Sequence, residues 1–387
     1  MRILYVGHTR FPTEKAHGKQ IAEVCSAMAT LGHTVTLVTP TVRTPITESP
    51  FRYYDIPENF TWVKLRCFDA LHARLIPRPL AFAFSMWSYR RALRKHLQSA
   101  SADILYCRAH VILPTLLKRN ISTVIELHTL PQFGKKSFKR HCNGCVRVVA
   151  LTSPMRRMLL IMGVDAARIM VEGDGVRTSF VNQPPSVQIV EERFRLQPVI
   201  GYVGSLIARN TLEKGVSVII EAFALLKQRG MTFRGLIVGG PQSWKERYEK
   251  QAYHAGLDAR DVVFTGHMPA RDVPSIFLSA DILVYPAPAT QHPYFLRDTS
   301  PLKIFEYMAA MRPIITADLP PVRDILSEQS AWFFAPGDAE GLAAHIRYIL
   351  LHPAEAHAKL IAAGALIPLH TWEKRMERIL DLPHAVA

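Results

Sequence analysis

Residues 295–317 read FLRDTSPLKIFEYMAAMRPIITA, and this stretch does most to decide the fold class. Ser300 and Pro301 predict a helix over residues 301–310, because proline is favoured in the first turn of a helix and apolar residues follow at helical spacing. The apolar segment at residues 314–317 then predicts a buried strand. A helix that leads directly into a buried strand is the repeating unit of a parallel α/β sheet.

The same alternation of short apolar runs and longer amphipathic stretches extends along the chain in both directions. The predicted strands span residues 3–7, 34–39, 60–67, 103–108, 123–128, 147–151, 169–171, 199–203, 235–239, 262–265, 282–285, 314–317 and 331–334. The predicted helices include residues 19–31, 80–97, 216–228, 243–255, 273–279, 301–310 and 340–350. Two doubly wound parallel sheets in tandem account for this order.

The length of 387 residues favours two domains over one. Residues 180–198 contain Gln183-Pro184-Pro185 and no clear period, so we predict a linker there between domains at residues 1–182 and 183–365. In doubly wound sheets a ligand binds at the carboxyl ends of the strands. For two facing domains this predicts a site in the cleft between them.

The composition is that of an ordinary globular protein, with 49% hydrophobic and 20% charged residues. It gives no support to disorder, collagen or a coiled coil. No apolar run approaches the length of a membrane span or signal peptide, and the five scattered cysteines favour a reducing compartment. We therefore expect a cytoplasmic protein.

The net charge of +15 is distributed very unevenly. Residues 1–190 contain 26 Lys and Arg against 11 Asp and Glu, whereas residues 191–387 contain 21 of each class. This asymmetry indicates an anionic partner for the first half, such as a lipid head group, a phosphorylated acceptor or nucleic acid. A purely solubilising role for the excess charge is the alternative.

Two acidic residues, Asp298 and Glu306, lie eight positions apart across the predicted helix start. Their carboxylates can accept hydrogen bonds from the hydroxyl groups of a sugar or ribose. The backbone around Thr299, Ser300, Pro301 and Leu302 is predicted to meet a diphosphate at the positive end of the helix dipole. A helix cap together with a solvated acid is the alternative interpretation of the pair.

The first predicted strand leads into a glycine-containing loop, with Gly7 at the turn and Gly18 just before a helix. The spacing G-x-G-x-x-G is missing, so a nicotinamide or flavin enzyme loses its main support. Gly18 could bring backbone N–H groups close to an anion, and a purely structural turn is equally consistent with the sequence. Nothing specific points to His8, His17 or His110.

Asp298-x7-Glu306 followed by YMAAMRPIITA resembles the E-x7-E signature of the retaining glycosyltransferases of family 4, which have the GT-B fold. The resemblance covers essentially the whole chain. It includes the opening strand with the Gly18 loop, VEGDGV at 171–176, YVGS at 202–205 with Lys214-Gly215, LIVGG at 236–240, FTGH at 264–267 and ADILVYP at 280–286.

The resemblance implies a GT-B fold of two facing Rossmann-like domains with a cleft between them. It implies transfer of a sugar, with retained configuration, from a UDP- or GDP-linked donor on the second domain to a glycan or lipid-linked acceptor on the first. It also implies that a helix within residues 366–387 packs back on the first domain. Such enzymes serve the synthesis of cell-surface polysaccharide or glycolipid.

Residue by residue, the resemblance implies that Glu306 holds the donor ribose and Asp298 the sugar hydroxyls. Lys214 would bind the diphosphate, and His128 would approach the donor sugar near the reacting carbon. Base recognition through the backbone is expected near the following three residues: Gly266, His267 and Met268.

Two positions depart from the family pattern. Asp298 is one methylene shorter than the usual glutamate, and Ser205 stands where many relatives carry a phosphate-binding arginine. Arg209 is the candidate to replace that charge. Because an ammonium group and a helix N-terminus can stabilise the leaving diphosphate, we predict neither a metal nor a cofactor besides the donor.

Residues 74–97 join Phe82, Phe84, Met86 and Trp87 to a cationic tail of Arg90, Arg91, Arg94 and Lys95, and such a pattern is typical of peripheral membrane contact. A second basic cluster contains Lys135, Lys136, Lys139, Arg140 and Arg147. An ordinary buried helix with a solvated face is the alternative.

Two functions other than catalysis are alternatives to the glycosyltransferase prediction. One is a non-catalytic nucleotide-sugar-binding subunit. The other is a nucleic-acid binder, which we do not expect because no recognised binding module is found.

Overall fold

The computed structural model describes residues 1–70, 77–177, 197–209, 211–269 and 272–382. The chain divides into two compact units, which we call unit 1 (Met1–Asp174 with Trp372–Ala387) and unit 2 (Gly175–Thr371). The predicted boundary at 182/183 and all but the last two residues of the predicted linker lie outside the described residues.

Unit 1 contains a seven-stranded parallel sheet, whose central strand is buried along its whole length. Its strands are β1 (Arg2–Val6), β2 (Thr34–Pro40), β3 (Thr61–Leu65), β4 (Ile104–Cys107), β5 (Ser122–Leu127), β6 (Arg147–Ala150) and β7 (Ile169–Val171). Its helices are α1 (Ala16–Thr30), α2 (Pro50–Tyr53), α3 (Arg78–Ser99), α4 (Leu113–Leu116), α5 (Lys135–Asn143) and α6 (Ser153–Ile161). The strand order is β3-β2-β1-β4-β5-β6-β7.

Unit 2 contains a six-stranded parallel sheet in the order β12-β11-β8-β13-β14-β15, and a small hairpin of β9 and β10. The strands are β8 (Val199–Val203), β9 (Ile207–Ala208), β10 (Leu212–Glu213), β11 (Arg234–Val238), β12 (Val262–Gly266), β13 (Ile282–Tyr285), β14 (Ile314–Ala317) and β15 (Trp332–Phe334). The helices are α7 (Val216–Gln228), α8 (Gln242–His254), α9 (Val273–Ser279), α10 (Leu302–Ala309), α11 (Pro320–Arg323), α12 (Ala339–Leu351) and α13 (Pro353–Gly364).

The helix after unit 2, α14 (Trp372–Leu380), belongs to unit 1 and packs against α1. The segment that packs on unit 1 starts later than the predicted residue 366. Residues 366–371 stay in unit 2 because Val176 pairs with Thr371 and donates a hydrogen bond to the His370 carbonyl, and because the His370 ring packs on Phe305.

The predicted fold class is confirmed, since both sheets are parallel and Rossmann-like. Such sheets are covered by helices on both faces, which explains why their strands are continuous apolar runs. In each sheet the strand order reverses once, between β1 and β4 in unit 1 and between β8 and β13 in unit 2. Ligands of doubly wound sheets bind beyond the carboxyl ends of the strands at such points.

The structure contains no helix long and apolar enough to cross a membrane within the residues it describes.

Candidate functional site

In unit 2, α10 is held across the carboxyl ends of β8 and β13. The buried Tyr307 hydroxyl accepts a hydrogen bond from the Val203 N–H at 3.2 Å and lies 3.3 Å from the carbonyl oxygens of Val203 and Val284. These contacts fix the helix at the point where the strand order of this sheet reverses. The helix position therefore agrees with the ligand position expected for a doubly wound sheet.

Glu306 lies on this helix and is only 4% exposed. Its Oε2 atom forms an ion pair with Lys303 Nζ at 2.6 Å, one helical turn earlier. A carboxylate buried to this extent needs a charged or hydrogen-bonding partner. Glu306 therefore presents a buried hydrogen-bond acceptor near the start of α10, and its contact with a ribose stays a prediction.

Asp298 accepts hydrogen bonds from two arginines instead of capping α10, and Glu306 is buried, so the alternative of a helix cap with a solvated acid is wrong. It ends a π-helical turn (Tyr294–Asp298) and is 7% exposed. Arg209 donates to Asp298 Oδ2 at 3.0 Å and Arg297 donates to Oδ1 at 2.6 Å. Both carboxylate oxygens are therefore engaged by arginines, and the role of Asp298 toward donor-sugar hydroxyls stays a prediction.

The start of α10 differs from its prediction by one residue, because Leu302 is the first helical residue and Pro301 precedes it as the N-cap. The Leu302 N–H donates to the Ser300 carbonyl at 3.0 Å, so it is already bonded within the turn. The Thr299 hydroxyl is buried and lacks a hydrogen-bond partner among the described residues. A buried unpaired hydroxyl at a helix start is the kind of group that a bound ligand satisfies.

Lys214 lies in the loop between β10 and α7, and its ammonium group makes no ion pair with any residue that the structure describes. The next residue, Gly215, has φ +92°, and a Cβ atom there would approach the Ala287 backbone to 2.7 Å. This close contact places the Lys214 backbone beside the segment that follows β13. Lys214 and the start of α10 therefore share one edge of the unit 2 sheet.

The residues expected near the base lie at the end of β12, where Gly266 is the last strand residue and His267 and Met268 follow. The Gly266 carbonyl accepts a hydrogen bond from Gly239 N–H at 2.9 Å, beyond the end of β11. Among the described residues, no contact of the His267 or Met268 side chain identifies a base. The assignment of these residues to the base stays a prediction, and they lie at the strand ends where a ligand of such a sheet is expected.

In unit 1, the carboxyl ends of β1, β4 and β5 are followed by His8, Arg108 and His128. Arg108 donates to the His17 carbonyl at 3.1 Å and to Gln20 Oε1 at 2.8 Å, and so connects this edge to α1. The strand order reverses between β1 and β4. These side chains therefore surround the expected ligand position of unit 1.

The histidines of this cluster are neutral near pH 7. Burial lowers the pKa of His8 and His128 to about 4 and the pKa of His17 to about 3. The nearby Arg108 cation adds to the downward pKa shift in each case. A neutral imidazole has one nitrogen that accepts a hydrogen bond, so the cluster can bind hydroxyl groups.

Sequence inspection missed most of this cluster. His8 Nδ1 and His17 Nε2 are buried and have no hydrogen-bond partner among the described residues, which points to a polar ligand. The sequence does show that His8 and Arg108 each follow a predicted strand. It does not show that these two strands are neighbours in the sheet, so the closeness of the two side chains could not be predicted.

The predicted position of Gly18 just before the helix is wrong, because Gly18 lies within the first turn of α1. Its N–H donates to the Lys15 carbonyl at 2.9 Å. A Cβ atom at this position would lie 2.1 Å from the Tyr54 hydroxyl oxygen and 2.6 Å from Thr13 Cγ2. Close packing therefore explains this glycine, and its N–H group is not open to an anion.

Two family sequence models match the chain. The one described as "Glycosyltransferase Family 4" matches residues 18–180, and the one described as "Glycosyl transferases group 1" matches residues 197–352. Each match covers most of one Rossmann-like sheet. Together they cover both units in the order in which the chain presents them.

The chain is also similar in sequence to several proteins that are named as sugar transferases. The chain is 30% identical over 185 residues to 2-deoxystreptamine glucosyltransferase of Streptomyces kanamyceticus, covering 46% of this chain and 44% of that protein. It is 20% identical over 258 residues to O-antigen chain mannosyltransferase B of Escherichia coli (63% and 64% covered). It is 29% identical over 235 residues to the amylovoran biosynthesis glycosyltransferase AmsK of Erwinia amylovora (60% and 54% covered). The chain thus spans about half to two thirds of the length of these relatives.

Solved structures show the same fold over the whole chain. Sucrose-phosphate synthase of Thermosynechococcus elongatus has a TM-score of 0.70 at 18% identity, with 98% of this chain and 97% of that chain covered. Anabaena HepE in complex with UDP-glucose has a TM-score of 0.70 at 16% identity, with 98% of each chain covered. The two family matches and this likeness agree with the two parallel sheets described above, and the chain therefore belongs to glycosyltransferase family 4 and has the GT-B fold.

Proposed function

We propose that the protein is a retaining glycosyltransferase, which moves a sugar from a UDP- or GDP-linked donor to a glycan or lipid-linked acceptor. In this role the protein serves the synthesis of a cell-surface polysaccharide or glycolipid at the cytoplasmic face of the membrane. The observation that carries this proposal is the edge of the unit 2 sheet, where the Lys214 loop, the start of α10 and the buried Glu306 lie together.

The chemistry of donor cleavage matches this edge. When the bond between the sugar and the diphosphate breaks, negative charge develops on the diphosphate oxygens while the sugar becomes oxocarbenium-like. A fixed ammonium group and the positive end of a helix dipole stabilise such a leaving group. We assign the first role to Lys214 and the second to α10, with no metal ion required.

Arg209 supplies further positive charge in this proposal. It occupies the turn of the β9–β10 hairpin with φ +48°, and its guanidinium group also stands over the Tyr294 ring. Its present partner is Asp298, at 3.0 Å. A donor diphosphate competes with Asp298 for Arg209, and this exchange frees one carboxylate oxygen of Asp298 for a hydroxyl of the donor sugar.

The acceptor is proposed to bind unit 1. The neutral histidines of the unit 1 cluster are suited to hydroxyl groups, and ring nitrogens of His8 and His17 lack a partner among the described residues. His128 is assigned to the donor sugar near the reacting carbon. Among the comparisons, HepE was solved with UDP-glucose and AmsK is named for amylovoran biosynthesis, which supports a UDP-sugar and a polysaccharide product.

A panel of nucleotide sugars tests the donor. We expect one UDP- or GDP-sugar to raise the melting temperature of the full chain, because a ligand that binds only the folded state stabilises it. With that donor, the chain is expected to release nucleoside diphosphate and to form a product of retained anomeric configuration by NMR. Donor binding without transfer or hydrolysis would favour the non-catalytic subunit, and a product of inverted configuration would overturn the retaining mechanism.

Membrane contact is proposed for the exposed face of α3. Leu80, Phe84 and Trp87 lie on one stripe of this helix and are 54%, 56% and 61% exposed. The exposed residues Arg91 and Arg94 continue the stripe toward the end of the helix. Large apolar side chains beside cations are suited to an anionic bilayer surface. The opposite face of α3 is buried in unit 1, so the alternative differs only in leaving the exposed face in water.

Replacing Phe84 and Trp87 together by serine is expected to lower the fraction of protein that co-sediments with anionic phospholipid vesicles. Each buried aromatic side chain contributes about 1.5–3 kcal/mol to burial in an apolar phase, so the vesicle affinity is expected to fall about tenfold or more. Tyr253→Ser on α8, which is 76% exposed, is the matched control. A bound fraction that does not change with the anionic lipid content of the vesicles would contradict the membrane proposal.

A further inference from the structure

One side chain of α14 reaches the centre of unit 1. Arg375 is fully buried, and its guanidinium group forms an ion pair with Glu126 Oε2 at 3.0 Å. Its Nε atom also donates to the Gly173 carbonyl. A buried arginine in this position is held by two partners that come from different parts of the unit.

Glu126 contacts several other side chains besides Arg375. Its Oε1 atom accepts hydrogen bonds from Gln20 Nε2 at 2.5 Å and lies 2.7 Å from His128 Nε2, while its Oε2 atom accepts from the Tyr106 hydroxyl. Burial alone would raise the pKa of Glu126, but Arg375, His128 and Tyr106 bring the pKa well below its usual value. The carboxylate is therefore ionised and can only accept hydrogen bonds.

The charge state of Glu126 determines the tautomer of His128. An acceptor-only carboxylate at 2.7 Å requires a proton on His128 Nε2. Because the ring is neutral, Nδ1 then carries no proton and presents a lone pair. The imidazole thus has a donor side, which faces Glu126, and an acceptor side.

We propose that Arg375 and Glu126 are positioning residues that hold His128 as the Nε2–H tautomer, with the Nδ1 lone pair available to a substrate hydroxyl group. The contact with substrate rests on the proposed function, whereas the tautomer does not. Glu126 without Arg375 would be an uncompensated buried charge, so the helix that follows unit 2 supports the orientation of a candidate catalytic side chain in unit 1.

The charged and titratable groups around His128 come from four elements. These are Arg108 after β4, Glu126 on β5, His17 on α1 and Arg375 on α14. Burial is the largest cause that lowers the pKa of His128, and Arg108 and Arg375 add to it while Glu126 opposes it. Removing the Arg375 cation is therefore expected to raise the pKa of His128.

The test is 15N NMR of the histidine side chains in the full chain, with His128 assigned by the signal that His128→Asn removes. In the wild type we expect a protonated Nε2 and an unprotonated Nδ1 at pH 7. Glu126→Gln brings an amide that can donate to Nε2, so we expect the ring to shift toward the Nδ1–H tautomer. We expect Arg375→Met to give a mixture of tautomers and a higher pKa of His128, and Arg375→Lys to restore the wild-type tautomer.

Arg378→Met is the matched control, since Arg378 lies on the same helix and pairs with Glu172 at 2.7 Å rather than with Glu126. We expect it to retain the wild-type tautomer. With the donor and acceptor identified, Arg375→Met is expected to lower kcat about 10- to 100-fold with little change in KM, whereas Arg378→Met changes neither.

A wild-type Nδ1–H tautomer would overturn the proposal, and so would an Arg375→Met protein with the wild-type tautomer and pKa. If Arg375→Met does not fold, Glu126→Gln decides the matter, and an unchanged tautomer there would equally overturn it. A wild type that shows the expected tautomer but transfers no sugar would contradict the proposed function and leave the positioning pair standing.

Discussion

Lys214→Ala is expected to lower the rate of sugar transfer by about 10²- to 10³-fold, the usual cost of removing one group that stabilises developing charge. The Lys214 ammonium group has no ion-pair partner in the part of the chain that the structure describes, so its charge is available to a ligand. The charge of the diphosphate grows as the glycosidic bond breaks. The interaction is therefore stronger in the transition state than in the bound donor, and kcat should fall more than the donor affinity.

The measurement is steady-state transfer with the donor that the panel identifies, together with donor binding by calorimetry. Lys250→Ala is the matched control, because Lys250 lies exposed on α8 of the same unit. Unchanged melting temperatures would show that both variants are folded. Full activity of Lys214→Ala would refute the assignment of Lys214 to the leaving group.

Glu306→Ala is expected to weaken donor binding by about 10- to 100-fold, because a hydrogen bond to a charged group contributes about 1.5–3 kcal/mol. The substitution removes the buried carboxylate and also the partner of Lys303, at 2.6 Å. Glu306→Gln retains the volume and one acceptor oxygen. We expect its donor affinity to lie between those of the wild type and the alanine variant.

Calorimetry with two ligands makes this test specific. If Glu306 holds the ribose, the variant should lose affinity for the nucleoside diphosphate and keep its affinity for inorganic diphosphate. Glu246→Ala, on an exposed position of α8, should change neither value. An equal loss for both ligands would contradict the ribose assignment, and no loss for either would remove Glu306 from the site.

The buried strands were the most predictable part of the fold. The predictions for residues 199–203, 282–285 and 314–317 match β8, β13 and β14 residue for residue. Strands covered on both faces are continuous apolar runs, and turn residues interrupt such runs sharply. The prediction of α7 is equally accurate because Gly215 with a positive φ marks its start.

The site was predictable only where its residues are close in sequence. Asp298 ends the π-helical turn and Glu306 lies on the helix that follows it, so their spacing was visible in the sequence. The Arg209–Asp298 and Glu126–Arg375 pairs join residues from distant parts of the chain, and single-sequence patterns carry no information on such contacts. The π-helical turn at Tyr294–Asp298 and the β9–β10 hairpin were missed because both are too short to show a period.

The helix α14 belongs to unit 1 but follows unit 2 in the sequence, and this order has a consequence for folding during biosynthesis. During translation, the ribosome must complete all of unit 2 before Trp372–Leu380 can emerge, yet this helix supplies the counter-charge of Glu126. A nascent chain that ends at residue 371 contains every strand of the first sheet and a carboxylate that lacks its cation. Unit 1 therefore completes its folding after unit 2 has been synthesised, although the strands of unit 1 are synthesised first.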